Sequence, residues 1–125
     1  MNALGTHLVL ELRACNPELL DDLEYLRQVL REAAELAGAT IVGETFHKFS
    51  PHGVTGVVAV AESHLCIHTW PEYGYAAVDI FTCGREVRPH QAAEHIIERL
   101  GCREPSIMEM RRGILRTAVE AGVQV

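Results

Sequence analysis

The sequence predicts one α+β domain built as a two-layer sandwich, and three observations carry that expectation. Two segments repeat apolar residues at helical spacing. Around them run short apolar stretches bounded by glycine and proline turns. The length of 125 residues suits one domain. Residues 7–12 are mostly apolar, as in a buried strand. Asn16-Pro17 then pairs a helix N-cap with a proline at the first helical position. Leu19, Leu20, Leu23, Leu26, Leu30, Ala33 and Ala37 follow at helical spacing, and Gly38 ends this helix. Residues 40–49 read as a second strand, Pro51-His52-Gly53 as a turn, and residues 54–60 as a third strand with Gly56 inside it. Residues 66–69 and 75–82 read as two more strands, joined by the loop 70–74. Residues 89–100 form a second amphipathic helix stopped by Gly101, and residues 106–110 a last strand. No element is assigned from Arg112 onward. The order is β-α-β-β-β-β-α-β, two helices over a hairpin-rich sheet. No internal repeat, linker or low-complexity segment interrupts it.

Composition narrows the function. Hydrophobic residues make up 48% and charged residues 22%, ordinary values for a globular protein. The formal charge of −6 argues against a nucleic-acid partner, which needs a basic face, and is compatible with a cationic substrate. A domain this small has an unfavourable surface-to-volume ratio, which oligomerisation relieves. The four cysteines, at 15, 66, 83 and 102, form no C-x-x-C pair. With no signal peptide and no long apolar run, the expectation is a cytoplasmic protein with free thiols and no membrane partner. Taken singly, each cysteine is a small buried hydrophobe.

The chemistry concentrates in one run: Ala61-Glu62-Ser63-His64-Leu65-Cys66-Ile67-His68-Thr69-Trp70-Pro71-Glu72-Tyr73-Gly74-Tyr75. Phe81-Thr82-Cys83-Gly84 follows closely. Serine, histidine, cysteine and glutamate are the side chains of nucleophilic and acid–base catalysis. Alone, a serine at a strand edge and a histidine in a strand are usually structural. A second reading is a metal-binding module, because His64, Cys66 and His68 share one side of an extended strand, although their spacing matches no established zinc signature. A third is a non-catalytic ligand-binding domain in which Ser63 stays an ordinary residue.

Taken together, the run closely resembles the processing and active-site segment of the prokaryotic pyruvoyl-dependent S-adenosylmethionine decarboxylases. Gly5-Thr6-His7-Leu8, Gly38-Ala39-Thr40-Ile41-Val42, Thr45-Phe46-His47 and Gly53-Val54-Thr55-Gly56-Val57-Val58 extend the resemblance, which fades beyond about residue 104. It implies helices on one face of an antiparallel sheet. It also implies autocatalytic cleavage between Glu62 and Ser63, giving a β chain of residues 1–62 and an α chain of residues 63–125. Ser63 would become a pyruvoyl cofactor, which holds the substrate as a Schiff base. The resemblance makes His68 the proton acceptor in processing and Cys83 the proton donor in decarboxylation. Thr55 stands where the family typically has a serine linked to processing; it keeps the hydroxyl and adds a methyl. Glu72 is the candidate for the ribose hydroxyls, since a carboxylate offers two acceptor oxygens. Trp70 and Phe49 are candidates for contact with adenine or the sulfonium. No metal is implied. The expected partners are S-adenosylmethionine and further copies of the chain, two α and two β chains in all. Decarboxylation of S-adenosylmethionine supplies the aminopropyl donor of spermidine biosynthesis. Relatives with the same chemistry decarboxylate arginine or ornithine, and Ser63 does not separate them; the loop with Glu72 favours the nucleoside.

Overall fold

The computed structural model describes residues 3–115, so the rest of the expected C-terminal tail lies outside the described residues. Six strands form one sheet: β1 (Ala3–Arg13), β2 (Ile41–Lys48), β3 (Val54–Val60), β4 (Ser63–Trp70), β5 (Tyr75–Cys83) and β6 (Glu104–Ile114). Their spatial order is β2-β3-β4-β5-β1-β6, and every neighbouring pair is antiparallel. Three helices, α1 (Pro17–Leu20), α2 (Leu23–Leu36) and α3 (Pro89–Arg99), complete the second layer. The two-layer α+β sandwich is as expected.

Strand alternation puts one residue set under the helices. Leu8, Leu10 and Leu12 of β1, Val58 and Val60 of β3, Leu65 and Ile67 of β4, and Val78 and Ile80 of β5 are buried there. Against them α2 presents Leu26, Val29, Leu30, Ala33 and Ala34, and α3 presents Ala92, Ala93 and Ile96. Gly56 faces the same layer, and its missing side chain makes room for the Phe46 ring. A Cβ there would lie 2.1 Å from that ring. Among the described residues no helix covers the other sheet face.

Four elements differ from the sequence expectation. β1 begins at Ala3 rather than His7, because the residues before His7 pair with β5 and β6. The first helix is two: α1 ends at Leu20, and Asp22 caps α2 by accepting from the Tyr25 N–H at 3.0 Å. The apolar spacing runs through Asp21-Asp22, so periodicity alone hides the break. β4 begins at Ser63 rather than Cys66, because polar Ser63 and His64 pair with Thr82 and Phe81 of β5. β6 runs from Glu104 to Ile114, well past the expected 106–110, since β1 offers a long edge to pair with.

Candidate active site

β3 and β4 form a hairpin whose turn is Ala61-Glu62, so the Glu62–Ser63 peptide bond lies at its exit. The turn is tied down on both sides. Ala61 N–H donates to Thr40 O at 2.8 Å, and the Glu62 carboxylate accepts from Thr40 N–H at 2.9 Å. The Glu62 carbonyl accepts from the Cys83 backbone N–H at 2.9 Å. Ser63 has φ +142°, a region that non-glycine residues rarely occupy and where strain is stored at functional sites. Its hydroxyl lies 3.1 Å from His64 Nδ1. A strained serine thus follows a carbonyl that already holds a hydrogen-bond donor.

Cys83 sits at the same end, on the open sheet face, opposite Gly5 of β1. A Cβ at Gly5 would stand 2.7 Å from the Phe81 ring and 3.1 Å from the Cys83 sulfur, so only glycine leaves room for both. His7, hydrogen-bonded to Asp79 at 3.0 Å, and Arg112, 4.6 Å over the ring, flank Phe81.

The remaining candidates gather at the opposite end of β4. Phe49, His52, Thr55, His68, Trp70 and Glu72 line a cleft of about 370 Å³, within the range of small-molecule sites. Thr55 and His68 are directly paired across β3 and β4, with Thr55 Oγ1 3.0 Å from His68 Nδ1. Glu72 Oε1 lies 3.1 Å from His52 Nε2. Trp70 is 40% exposed and leans on Tyr75; Phe49 is 47% exposed and packs edge-on against His47. Buried Thr69 anchors the cleft from behind, donating to Leu20 O at 2.7 Å and accepting from Val54 N–H at 2.9 Å. Asp21 accepts from Gly53 N–H at 2.8 Å and pairs with Lys48. The Lys48 contact, then the Gly53 N–H, hold its carboxyl below the usual range. At the Trp70 end of the same face, burial and then Glu11 push the Tyr75 phenol up to about 12. Burial, then Asp79, raises the Cys66 thiol, so it stays protonated.

The structure therefore divides the sequence candidates. Ser63, Glu62 and Cys83 are together; Thr55, His68, Trp70, Glu72 and Phe49 are together; the two groups are not. Five residue steps along β4 separate Ser63 from His68, roughly 16 Å at the usual rise. Three contacts escaped the sequence reading: His64 at the Ser63 hydroxyl, His52 at Glu72, and the Cys83 N–H at the Glu62 carbonyl. The first two are visible as nearby histidines. The third depends on strand register and leaves no residue-type signal. Among the described residues no three His, Cys, Asp or Glu side chains converge as a metal site.

Comparison with known proteins identifies the family. The family model described as S-adenosylmethionine decarboxylase matches residues 6–113. An S-adenosylmethionine decarboxylase proenzyme of Thermodesulfovibrio yellowstonii is 59% identical over 115 residues, covering 92% of this chain and 85% of the relative. One from Caldicellulosiruptor saccharolyticus is 48% identical over 120 residues, covering 96% and 97%. The crystal structure of the adenosylmethionine decarboxylase from Aquifex aeolicus superimposes with a TM-score of 0.87 at 36% identity, covering 94% of this chain and 97% of that one. With most of its length matched by the family model and by close relatives, the chain belongs to the S-adenosylmethionine decarboxylase family.

Proposed function

We propose that this chain decarboxylates S-adenosylmethionine after cutting itself between Glu62 and Ser63, with residue 63 becoming a pyruvoyl group. The observation that carries the reading is the Cys83 N–H on the Glu62 carbonyl beside a strained Ser63. Ser63 Oγ attacks the Glu62 carbonyl carbon, and the Cys83 N–H stabilises the charge that develops on its oxygen. His64 Nδ1 takes the hydroxyl proton. The amide C–N bond breaks, its nitrogen gains a proton, and an ester links the two residues. Loss of the Ser63 α-proton then expels the Glu62 carboxylate and leaves dehydroalanine. Tautomerisation and hydrolysis release ammonia and leave the keto group.

His68 is the base for the α-proton, and it must reach Ser63 from a second copy. Its own Ser63 lies roughly 16 Å away, whereas proton transfer needs about 3 Å. A two-fold axis that reverses the strand direction brings one copy's Ser63 end to the other's His68 end. The sheet face that no described helix covers supports such pairing, because Val9, Val57, Ala59, Cys66 and Ala77 alternate onto it, with exposed Met108 and Met110 at its edge. When Thr55 accepts from His68 Nδ1–H, Nε2 keeps its lone pair and acts as the base. The threonine thus retains the hydroxyl this job requires.

The residues around position 63 fit the group. A carbonyl there supplies the electron sink that lets the substrate carboxylate leave as CO2. The Cys83 thiol donates the proton that Cα then needs. Glu72 binds the ribose hydroxyls, with His52 orienting its carboxylate, and Trp70 and Phe49 flank the base and sulfonium. The assembly holds two copies of residues 1–62 and two of 63–125. No described helix is long and apolar enough to cross a membrane.

Intact mass spectrometry tests the reading. The 63–125 piece should be lighter by one ammonia than hydrolysis gives, and Ser63→Ala should stay whole. Cleavage of that variant at the same bond refutes the acyl shift. Assays with S-adenosylmethionine, arginine and ornithine settle the substrate.

A further inference from the structure

Away from the cleft, two thiols meet where the loop after β1 crosses the loop after α3. Asn16 N–H donates to Leu100 O at 3.0 Å, and Arg103 N–H donates to Ala14 O at 3.3 Å. These bonds bracket Cys15 on one segment and Gly101-Cys102 on the other, an antiparallel crossing in which two residues face one. Facing residues in antiparallel pairs have Cα atoms about 4.5–5.5 Å apart, and Cys102 is one of the two that face Cys15, which sets the pair near the span of a disulfide. Both sulfurs turn toward the end of β1: Cys15 Sγ donates to Leu12 O at 3.5 Å and Cys102 Sγ to Arg13 O at 3.1 Å. Cys66 and Cys83 lie on the open sheet face and belong to neither loop.

We propose that Cys15 and Cys102 form a dithiol site that a low-molecular-weight disulfide oxidises to a reversible intrachain bridge. Cys102 is half-buried and reacts first: its thiolate attacks one sulfur of the oxidant, and one thiolate leaves. The Cys15 sulfur then displaces the second thiolate, which takes up the Cys15 proton. Two protein thiols are oxidised and one small disulfide is reduced to two thiols. Burial, with Cys102 beside it, pushes the Cys15 thiol up to about 12, so Cys15 stays a thiol while Cys102 makes the first attack. Excess small thiol reverses both exchanges.

The bridge sits behind the candidate substrate loop. Cys15 N–H donates to Gly74 O at 2.9 Å, and a Cβ on Gly74 would come within 3.2 Å of Cys15 O. Gly74 closes the turn that carries Glu72. Cys15 precedes the Glu62–Ser63 bond and Cys102 follows it. In a cut chain the bridge would join the two pieces covalently. That consequence rests on the proposed cleavage; the bridge itself does not.

The test equilibrates the native protein with oxidised glutathione, quenches by alkylation, and maps disulfides by peptide mass spectrometry, which reads cut and uncut chains alike. The expected product is a Cys15–Cys102 bridge with Cys66 and Cys83 alkylated, lost on adding reduced glutathione. Cys102→Ser should leave Cys15 as a free thiol. On a non-reducing gel, cut chains should run as one species when oxidised and as two after reduction. Alkylated Cys15 and Cys102 at full oxidant, a stable glutathione adduct on Cys102, or pairing with Cys66 or Cys83 would overturn the proposal. Equal bridging in urea-unfolded protein would also overturn it, because the fold would then contribute nothing to the pairing. Absence of cleavage with the bridge formed would count against the proposed function alone.

Discussion

Two processing-deficient variants should rescue each other when expressed together. The separation along β4 makes the logic quantitative. Ser63 and His68 of one chain stand roughly 16 Å apart, several times the reach of a proton transfer. If His68 of one copy serves Ser63 of the other, a Ser63→Ala chain can still supply a base, and a His68→Ala chain can still supply the serine. A mixed pair then holds one complete site and one site lacking both groups. Random pairing of equal amounts makes about half of the assemblies mixed, so about half of the His68→Ala chains should be cut. The Ser63→Ala chains should stay whole. Each variant alone should show little or no cleavage. Differently tagged chains, co-purified and resolved on a denaturing gel, give both fractions directly. Confirmed mixed assemblies with no cut His68→Ala chain would refute action across the copies. Normal cleavage of His68→Ala alone would remove His68 as the base. A protein that is monomeric by light scattering yet fully processed would refute the shared site altogether.

Cys83→Ala keeps the backbone N–H that holds the Glu62 carbonyl, so it should cleave substantially yet decarboxylate poorly; normal turnover by the processed variant would exclude the thiol as proton donor. Glu72→Gln replaces a charged acceptor by an amide whose nitrogen end accepts nothing. Losing one charge-assisted bond costs about 1.5–3 kcal/mol, so kcat/KM for S-adenosylmethionine should fall roughly ten- to a hundredfold while self-cleavage persists. Unchanged kcat/KM would free Glu72 from the ribose. Asp21 has a folded pKa held below its unfolded value by Lys48 and the Gly53 N–H. Its contribution is therefore present above the unfolded pKa and lost as pH falls through the folded one. Acid melts comparing wild type with Asp21→Asn should show the two Tm curves converging as the carboxylate protonates; a constant gap would assign the difference to shape rather than charge.

Much of this protein was determined by local sequence. The 3.6-residue spacing of Leu26, Leu30 and Ala33, the Asn16-Pro17 start and the alternation in residues 54–60 each specify an element from within its own span. The motif from Glu62 to Tyr75 named the candidate side chains because their types and order suit nucleophilic and acid–base chemistry. Local patterning could not show the break at Asp21-Asp22, since both halves keep the same apolar face. It could not extend β6 to Ile114 either, because that strand exists through its pairing with β1 and its residues are exposed. The division of the site was equally hidden. Ser63 and His68 look adjacent in sequence, yet an extended strand sends them to opposite ends of the sheet. Conversely, Cys83 is twenty residues from Ser63 but beside it, because β4 and β5 pair antiparallel in one register. Sequence determined which groups are present and which elements carry them. Tertiary structure decided which of them meet, because strand register and chain reversal set distances that no residue type encodes.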